Sequence, residues 1–111
     1  MKFSLLTVVS LTALATAIPQ NQSRPVPRGT CCVANTSLKQ DICFTASGAQ
    51  GRCVPGGANC GSRLSCIANA QLQCTNNIIE RGRNLCRARA PGGGLFDGAR
   101  IIQNLNQAKV N

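Results

Sequence analysis

The sequence predicts an α+β fold: a small disulfide-rich domain with a short antiparallel sheet, one main helix and a C-terminal tail helix. Three observations predict it. All eight cysteines lie between Cys31 and Cys86. Before Cys74 the apolar residues alternate in short runs separated by glycine and asparagine, the pattern of strands and turns. After Cys74 they recur at three-, four- and seven-residue offsets, the pattern of a helix.

Residues 1–17 read as a secretory signal peptide. Met1-Lys2 is a short basic start, Ser4 to Leu14 an apolar run, and Ala15-Thr16-Ala17 an A-x-A processing site. The run falls short of the roughly 20 apolar residues that a spanning helix needs. The chain is therefore expected to be secreted and extracellular, with no transmembrane segment in its mature form, and its thiols to meet an oxidising compartment. Residues 18–30 hold Pro19, Pro25 and Pro27 and few large apolar side chains. They are expected to form a disordered, Pro-rich leader. Asn21-Gln22-Ser23 and Asn35-Thr36-Ser37 are sequons, which makes Asn21 and Asn35 candidate N-glycosylation sites.

Residues 31–90 form the expected disulfide-stabilised domain. The cysteines are Cys31, Cys32, Cys43, Cys53, Cys60, Cys66, Cys74 and Cys86. An even number in a short secreted chain points to four bridges, and spacing alone leaves roughly a hundred pairings open. Adjacent Cys31 and Cys32 do not suit a bridge to each other. On a strand their side chains point to opposite faces, so the doublet would tie one segment to two different neighbours. Close C-x(2–4)-C pairs and histidines, the marks of a zinc site, are missing from the sequence. No metal or cofactor is expected. Beyond the signal the only aromatic residues are Phe44 and Phe96. With so thin a core, bridges of about 2–5 kcal/mol each should decide whether the domain folds.

Ile42 and Phe44 share one face of a first strand, Ser47 to Gly51 form a turn, and Arg52 to Pro55 return as a short strand that Pro55-Gly56-Gly57 closes. A second pair of strands carries Leu64 with Cys66 and Leu72 with Cys74, joined around Asn69. Asn77 followed by Glu80 suits a helix start, and Ile78, Ile79, Gly82, Leu85 and Cys86 form one stripe, which predicts the main helix over about 77–89. Its outer face would carry Arg81, Arg83, Arg87 and Arg89, the candidate binding surface. Pro91 to Gly94 then read as a hinge within a distinct segment, 91–111. Asp97 would cap an amphipathic tail helix of about 98–109, with Phe96 packed on Ile101. That helix would dock on its own domain, on a partner's groove or on a membrane surface.

The chain carries a net charge of +9, with Asp41, Glu80 and Asp97 its only acidic residues. Such a balance keeps a protein soluble and draws it toward anionic cell walls, acidic glycans, membranes or nucleic acid. Nucleic acid is the weakest of these partners, because no aromatics are interleaved with the basic residues as stacking requires. Catalysis is poorly supported: there is no histidine, and no phosphate-binding loop follows the glycines at 92–94. The chain is therefore not expected to be an enzyme.

The runs Leu38-Lys39-Gln40-Asp41-Ile42-Cys43, Gly51-Arg52-Cys53-Val54-Pro55-Gly56-Gly57, Leu64-Ser65-Cys66 and Ile79 to Arg87 resemble small secreted cysteine-rich proteins of plant-associated filamentous fungi. Some of these are similar to a killer toxin with an α/β sandwich of a small sheet and two helices. Hydrophobins share only the cysteine number, since their order has two doublets. The resemblance implies a secreted, effector-like virulence protein that binds a host or co-secreted protein. The alternative is a cationic antimicrobial or killer-type toxin that acts on a cell wall or membrane. No catalytic or binding residue follows from the resemblance.

Overall fold

The computed structural model describes residue 21 and residues 23–111; the signal assigned to residues 1–17, and residues 18–20 and 22 of the leader, lie outside the described residues. Three antiparallel units follow one another. The first is a three-stranded sheet of β1 (Ile42–Phe44), β2 (Gln50–Val54) and β3 (Ser65–Ala68), with β2 in the middle. The second is a hairpin of β4 (Leu72–Glu80) and β5 (Arg83–Ala88), and the third a hairpin of β6 (Leu95–Asp97) and β7 (Arg100–Ile102). Among the described residues the only helical pieces are two 3₁₀ turns, Asn69–Gln71 and Leu105–Gln107. The α+β expectation is therefore corrected: this is a mostly antiparallel β domain with neither predicted helix.

In the first sheet the cysteines alternate onto one face. Cys53 and Cys66 stand opposite each other across β2 and β3, yet each bonds elsewhere: Cys53 to Cys32 and Cys66 to Cys43. Cys31 bonds to Cys60, so the doublet does tie its segment to two different neighbours. The fourth bridge, Cys74–Cys86, crosses directly between β4 and β5. Gly51 is required for the tight β2–β3 approach, because a Cβ there would lie 2.0 Å from the Ile67 carbonyl oxygen.

The supposed disordered leader is ordered over its described part. The Gly29 N–H donates to Phe44 O (2.8 Å) and the Phe44 N–H to Pro27 O (2.9 Å). A few residues later the Cys66 N–H donates to Thr30 O and the Cys32 N–H to Leu64 O, both at 2.8 Å. Residues 27–32 thus pair with β1 on one side and β3 on the other, and cover both outer edges of the sheet there. Proline suits this position, since Pro27 is asked only for its carbonyl. Upstream, the Asn21 carboxamide clasps Ile42, accepting from its N–H (2.9 Å) and donating to its carbonyl (3.0 Å).

The predicted main helix is the β4–β5 hairpin. Arg81 and Gly82, with φ of 54° and 83°, make its two-residue turn between the paired Glu80 and Arg83. Positive φ at both positions is what the favoured hairpin turns demand. The helical spacing was imitated because β5 is covered on both faces. Cys86 and Ala88 pack with Val54, Ile67 and Leu72, whereas Leu85 packs with Leu95, Ile102 and Leu105. Consecutive buried residues follow, as in any strand between two layers. The β4 register also shifts between Thr75 and Ile79, and the extra residues let Ile78 turn into the Leu85 cluster.

The predicted tail helix is replaced by β6 and β7, which turn at Gly98 (φ 69°), and by the Leu105–Gln107 turn, capped by Asn104. Phe96 does oppose Ile101, but as a cross-strand neighbour. Glycine at 98 and the Arg100-Ile101-Ile102 run favour a hairpin over helix propagation.

Peptide mapping of the unreduced protein is expected to recover Cys31–Cys60, Cys32–Cys53, Cys43–Cys66 and Cys74–Cys86. A Cys53–Cys66 peptide would contradict the fold.

Candidate functional site

The three acidic residues of the chain converge on the interior. Asp41, Glu80 and Asp97 are all buried, and each is held in an ion pair. Two of them, Glu80 and Asp97, meet at Arg87, a fully buried guanidinium on β5. Its Nη1 and Nη2 donate to Glu80 Oε1 and Oε2 at 2.8 and 3.1 Å, and its Nε to Asp97 Oδ1 at 2.8 Å. The remaining N–H groups reach backbone carbonyls of Cys86 (2.9 Å) and Lys109 (3.1 Å).

Neighbouring elements complete the cluster. Gln40 Nε2 and the Asn111 N–H donate to Glu80, while the Lys109 N–H and Arg100 Nη2 donate to Asp97. Lys39 Nζ lies 3.6 Å from Glu80 Oε2. On the outer side of the first sheet Arg24 grips Asp41 through its Nε and Nη2 edge, with Nε donating to Oδ2 at 2.9 Å and Nη2 to Oδ1. Among the described residues, only Ser65 Oγ is a buried side-chain polar atom without a hydrogen-bond partner.

Burial pushes the Glu80 carboxyl up, but hydrogen bonds from Arg87 and Gln40 and the Arg87 charge outweigh it and hold it below the usual carboxylate range. Asp97 is likewise pushed up by burial and brought down further by Arg87, the Lys109 N–H and Arg100. Burial lowers the pKa of Arg87, and its bonds to the same two carboxylates more than restore it. Both carboxylates stay charged and act as structural counter-ions.

The predicted binding surface is divided by this arrangement. Arg83, Arg87 and Arg89 share a strand face, but β6, β7 and the tail cover its middle. Arg87 is therefore interior, and its place on an exposed face is corrected. Arg81 and Arg83 lie at the hairpin turn, whereas the exposed Arg89 lies at the far end of β5. Arg89 borders a shallow groove of about 470 Å³ shared with Gln71, Pro91 and Phe96. Glu80 and Asp97, read from sequence as helix-start residues, are the partners of Arg87 instead. Asn35 is exposed in a turn with φ of 64°, whereas Asn21 is buried by its clasp on Ile42. The sulfurs of Cys32, Cys43 and Cys53 lie close together, but two disulfides consume them, so they offer no thiolates.

Sequence reasoning missed Arg52. From β2 it reaches the second hairpin, where Nη1 donates to Gln40 Oε1 and Asn84 O (both 3.1 Å) and Nη2 to Asn84 Oδ1 (2.8 Å). All these acceptors are neutral. Burial, and then the nearby Arg83 charge, lower its pKa. With only three carboxylates in the sequence, a β-strand arginine without a nearby acid was the available signal.

No protein-family model matches this chain, and no curated protein or solved structure matches it either. The fold itself defines a four-disulfide, cysteine-rich β domain, with no free cysteine among its described residues. Four bridges suit an extracellular, oxidising environment. No helix among the described residues is long and apolar enough to cross a membrane.

Arg87→Met should cost on the order of 3–5 kcal/mol at neutral pH, because two buried carboxylates lose their shared buried counter-ion and keep only the more peripheral Lys39 and Arg100. Denaturant midpoints at two pH values check this. The native carboxylates have depressed pKa values, so their contribution is present above the unfolded-state values and is lost as pH falls below about 4. In the variant the stranded carboxylates gain by protonation, so its deficit against wild type should shrink in acid.

Proposed function

We propose that this chain is a secreted, effector-like binding protein that docks on an acidic face of a host or co-secreted protein. The observation that carries this reading is the segregation of charge. Every aspartate and glutamate is buried and paired, while Arg28, Arg63, Arg81, Arg89, Arg100 and Lys109 remain exposed. An exterior whose charged side chains are cationic attracts acidic partners over a Debye length and disfavours basic ones. The disulfides hold these cations on a rigid scaffold, which lowers the ordering cost of binding. The resemblance to small cysteine-rich fungal proteins favours a protein partner.

Affinity capture with the oxidised protein should recover an acidic protein that elutes as salt rises toward about 0.5 M. A reduced and alkylated sample should not capture it. Retention that is indifferent to salt, or that survives reduction, would overturn the reading. Inhibition of microbial growth at low salt, lost as salt screens the charge, would replace it with that of a cationic toxin acting on a wall or membrane.

A further inference from the structure

We infer that Arg52, held by Asn84 and Gln40, forms a specific subsite for a carboxylate side chain of the acidic protein partner, an inference that rests on the binding function proposed above. Two other guanidiniums show how this protein can meet such a charge. Arg24 meets Asp41, and Arg87 meets both Glu80 and Asp97. Arg52 is half-buried and, among the described residues, its hydrogen-bond acceptors are the neutral oxygens of Gln40 and Asn84. No aspartate or glutamate of this chain remains to serve it, because all three are buried in other pairs.

The geometry of its hydrogen bonds identifies the open edge. Nη1 is occupied twice and Nη2 once, and Nε donates to no acceptor among the described residues. The Nε–H and the second Nη2–H lie side by side on a guanidinium, and together they match the two oxygens of a carboxylate. Arg24 uses this same edge on Asp41. The subsite is therefore the intermolecular counterpart of a pair the fold already makes internally.

Asn84 and Gln40 hold the Arg52 fork in place, which removes much of the side-chain entropy cost of closing a bidentate pair. Gln40 is itself anchored, since its Nε2 donates to Glu80 and to the Cys86 carbonyl. Partial burial, and then the nearby Arg83 charge, disfavour the charged form of Arg52 and lower its pKa. The site joins residues from two units, β2 and the start of β5, so it exists only in the folded chain.

The test titrates the full oxidised protein at low salt with a short aspartate-rich peptide, its asparagine counterpart and inorganic phosphate, reading arginine side-chain N–H signals by NMR. The aspartate peptide is expected to shift Arg52 Nε–H most, and the asparagine peptide to shift nothing. Arg52→Lys, which keeps the charge but loses the fork, should weaken binding by about tenfold. Arg63→Lys, the same exchange at an exposed loop, should change it by less than about twofold. Asn84→Ala, which removes the side-chain acceptor that holds Nη2, should weaken binding several-fold and decides the matter if Arg52→Lys fails to fold.

If the peptide binds but shifts other arginines, or if both variants bind like wild type, the subsite is refuted while the cationic-surface reading stands. Binding of phosphate more tightly than the aspartate peptide would also refute it, in favour of a phosphorylated ligand. If no anion binds even at low salt, the subsite and the proposed function fall together.

Discussion

A single buried guanidinium governs how the units of this protein are assembled. Arg87 has no exposure to solvent, so its charge must be met by the protein. Glu80 comes from the end of β4, Asp97 from the end of β6, and the Lys109 carbonyl from the tail. Each lies on a separate stretch of chain, and displacing any of them would leave a charge or donor unpaired. An ion cluster of this kind has large opposing terms, desolvation against attraction, and an apolar replacement of the whole set could be as stable. Its distinctive effect here is positional, because the hydrogen-bond directions leave the two hairpins and the tail little freedom to slip.

Gln40 extends that constraint into the first sheet. It sits in a left-handed turn with φ of 74°, and its N–H donates to the Cys53 carbonyl while its side chain bridges Glu80, Cys86 and Arg52. One amide thereby couples the disulfide-stapled sheet to the ionic core of the second and third units. The disulfides act differently. Three of them bind the segment 31–66 to itself and the fourth closes one hairpin, so no bridge joins the first sheet to the rest. That junction is made by the Gln40 and Arg52 hydrogen bonds, the Lys39 contacts with Glu80 and the Lys109 carbonyl, the Gly98 N–H to the Pro55 carbonyl, and the apolar contact of Val54 and Ile67 with Leu72, Cys86 and Ala88.

The same demand for counter-ions shapes the outside. Three carboxylates are too few for the cations of this sequence, and the interior takes them all. Positive charge is left over at the surface, and at Arg52 it is left over in a partly desolvated position with its hydrogen-bonding edge open. Charge balance inside the fold and anion attraction outside it are thus two results of one shortage. A protein with more surface carboxylates could bury Arg87 equally well and yet have no comparable bias in its partners.

Sequence reasoning located the first hairpin, the strand around Cys66 and the divided pairing of the cysteine doublet, because turn residues and side-chain alternation are local. It misplaced everything whose burial is decided by distant layers. Leu85 to Ala88 look helical because both faces of β5 are covered, and nothing within those residues says that a second hairpin lies on top. Asp97 and Glu80 resemble caps because an acid near an apolar run has that meaning locally. Arg52, far from Asn84 in the chain, left only the faint signal of a strand cation with no nearby acid. Composition and cysteine count by themselves determined that the domain would be small, cross-linked and cationic, since these depend only on which residues are present. Only the tertiary structure decided which charges are inside and which remain to meet a partner, because burial and pairing are properties of segments brought together across the chain.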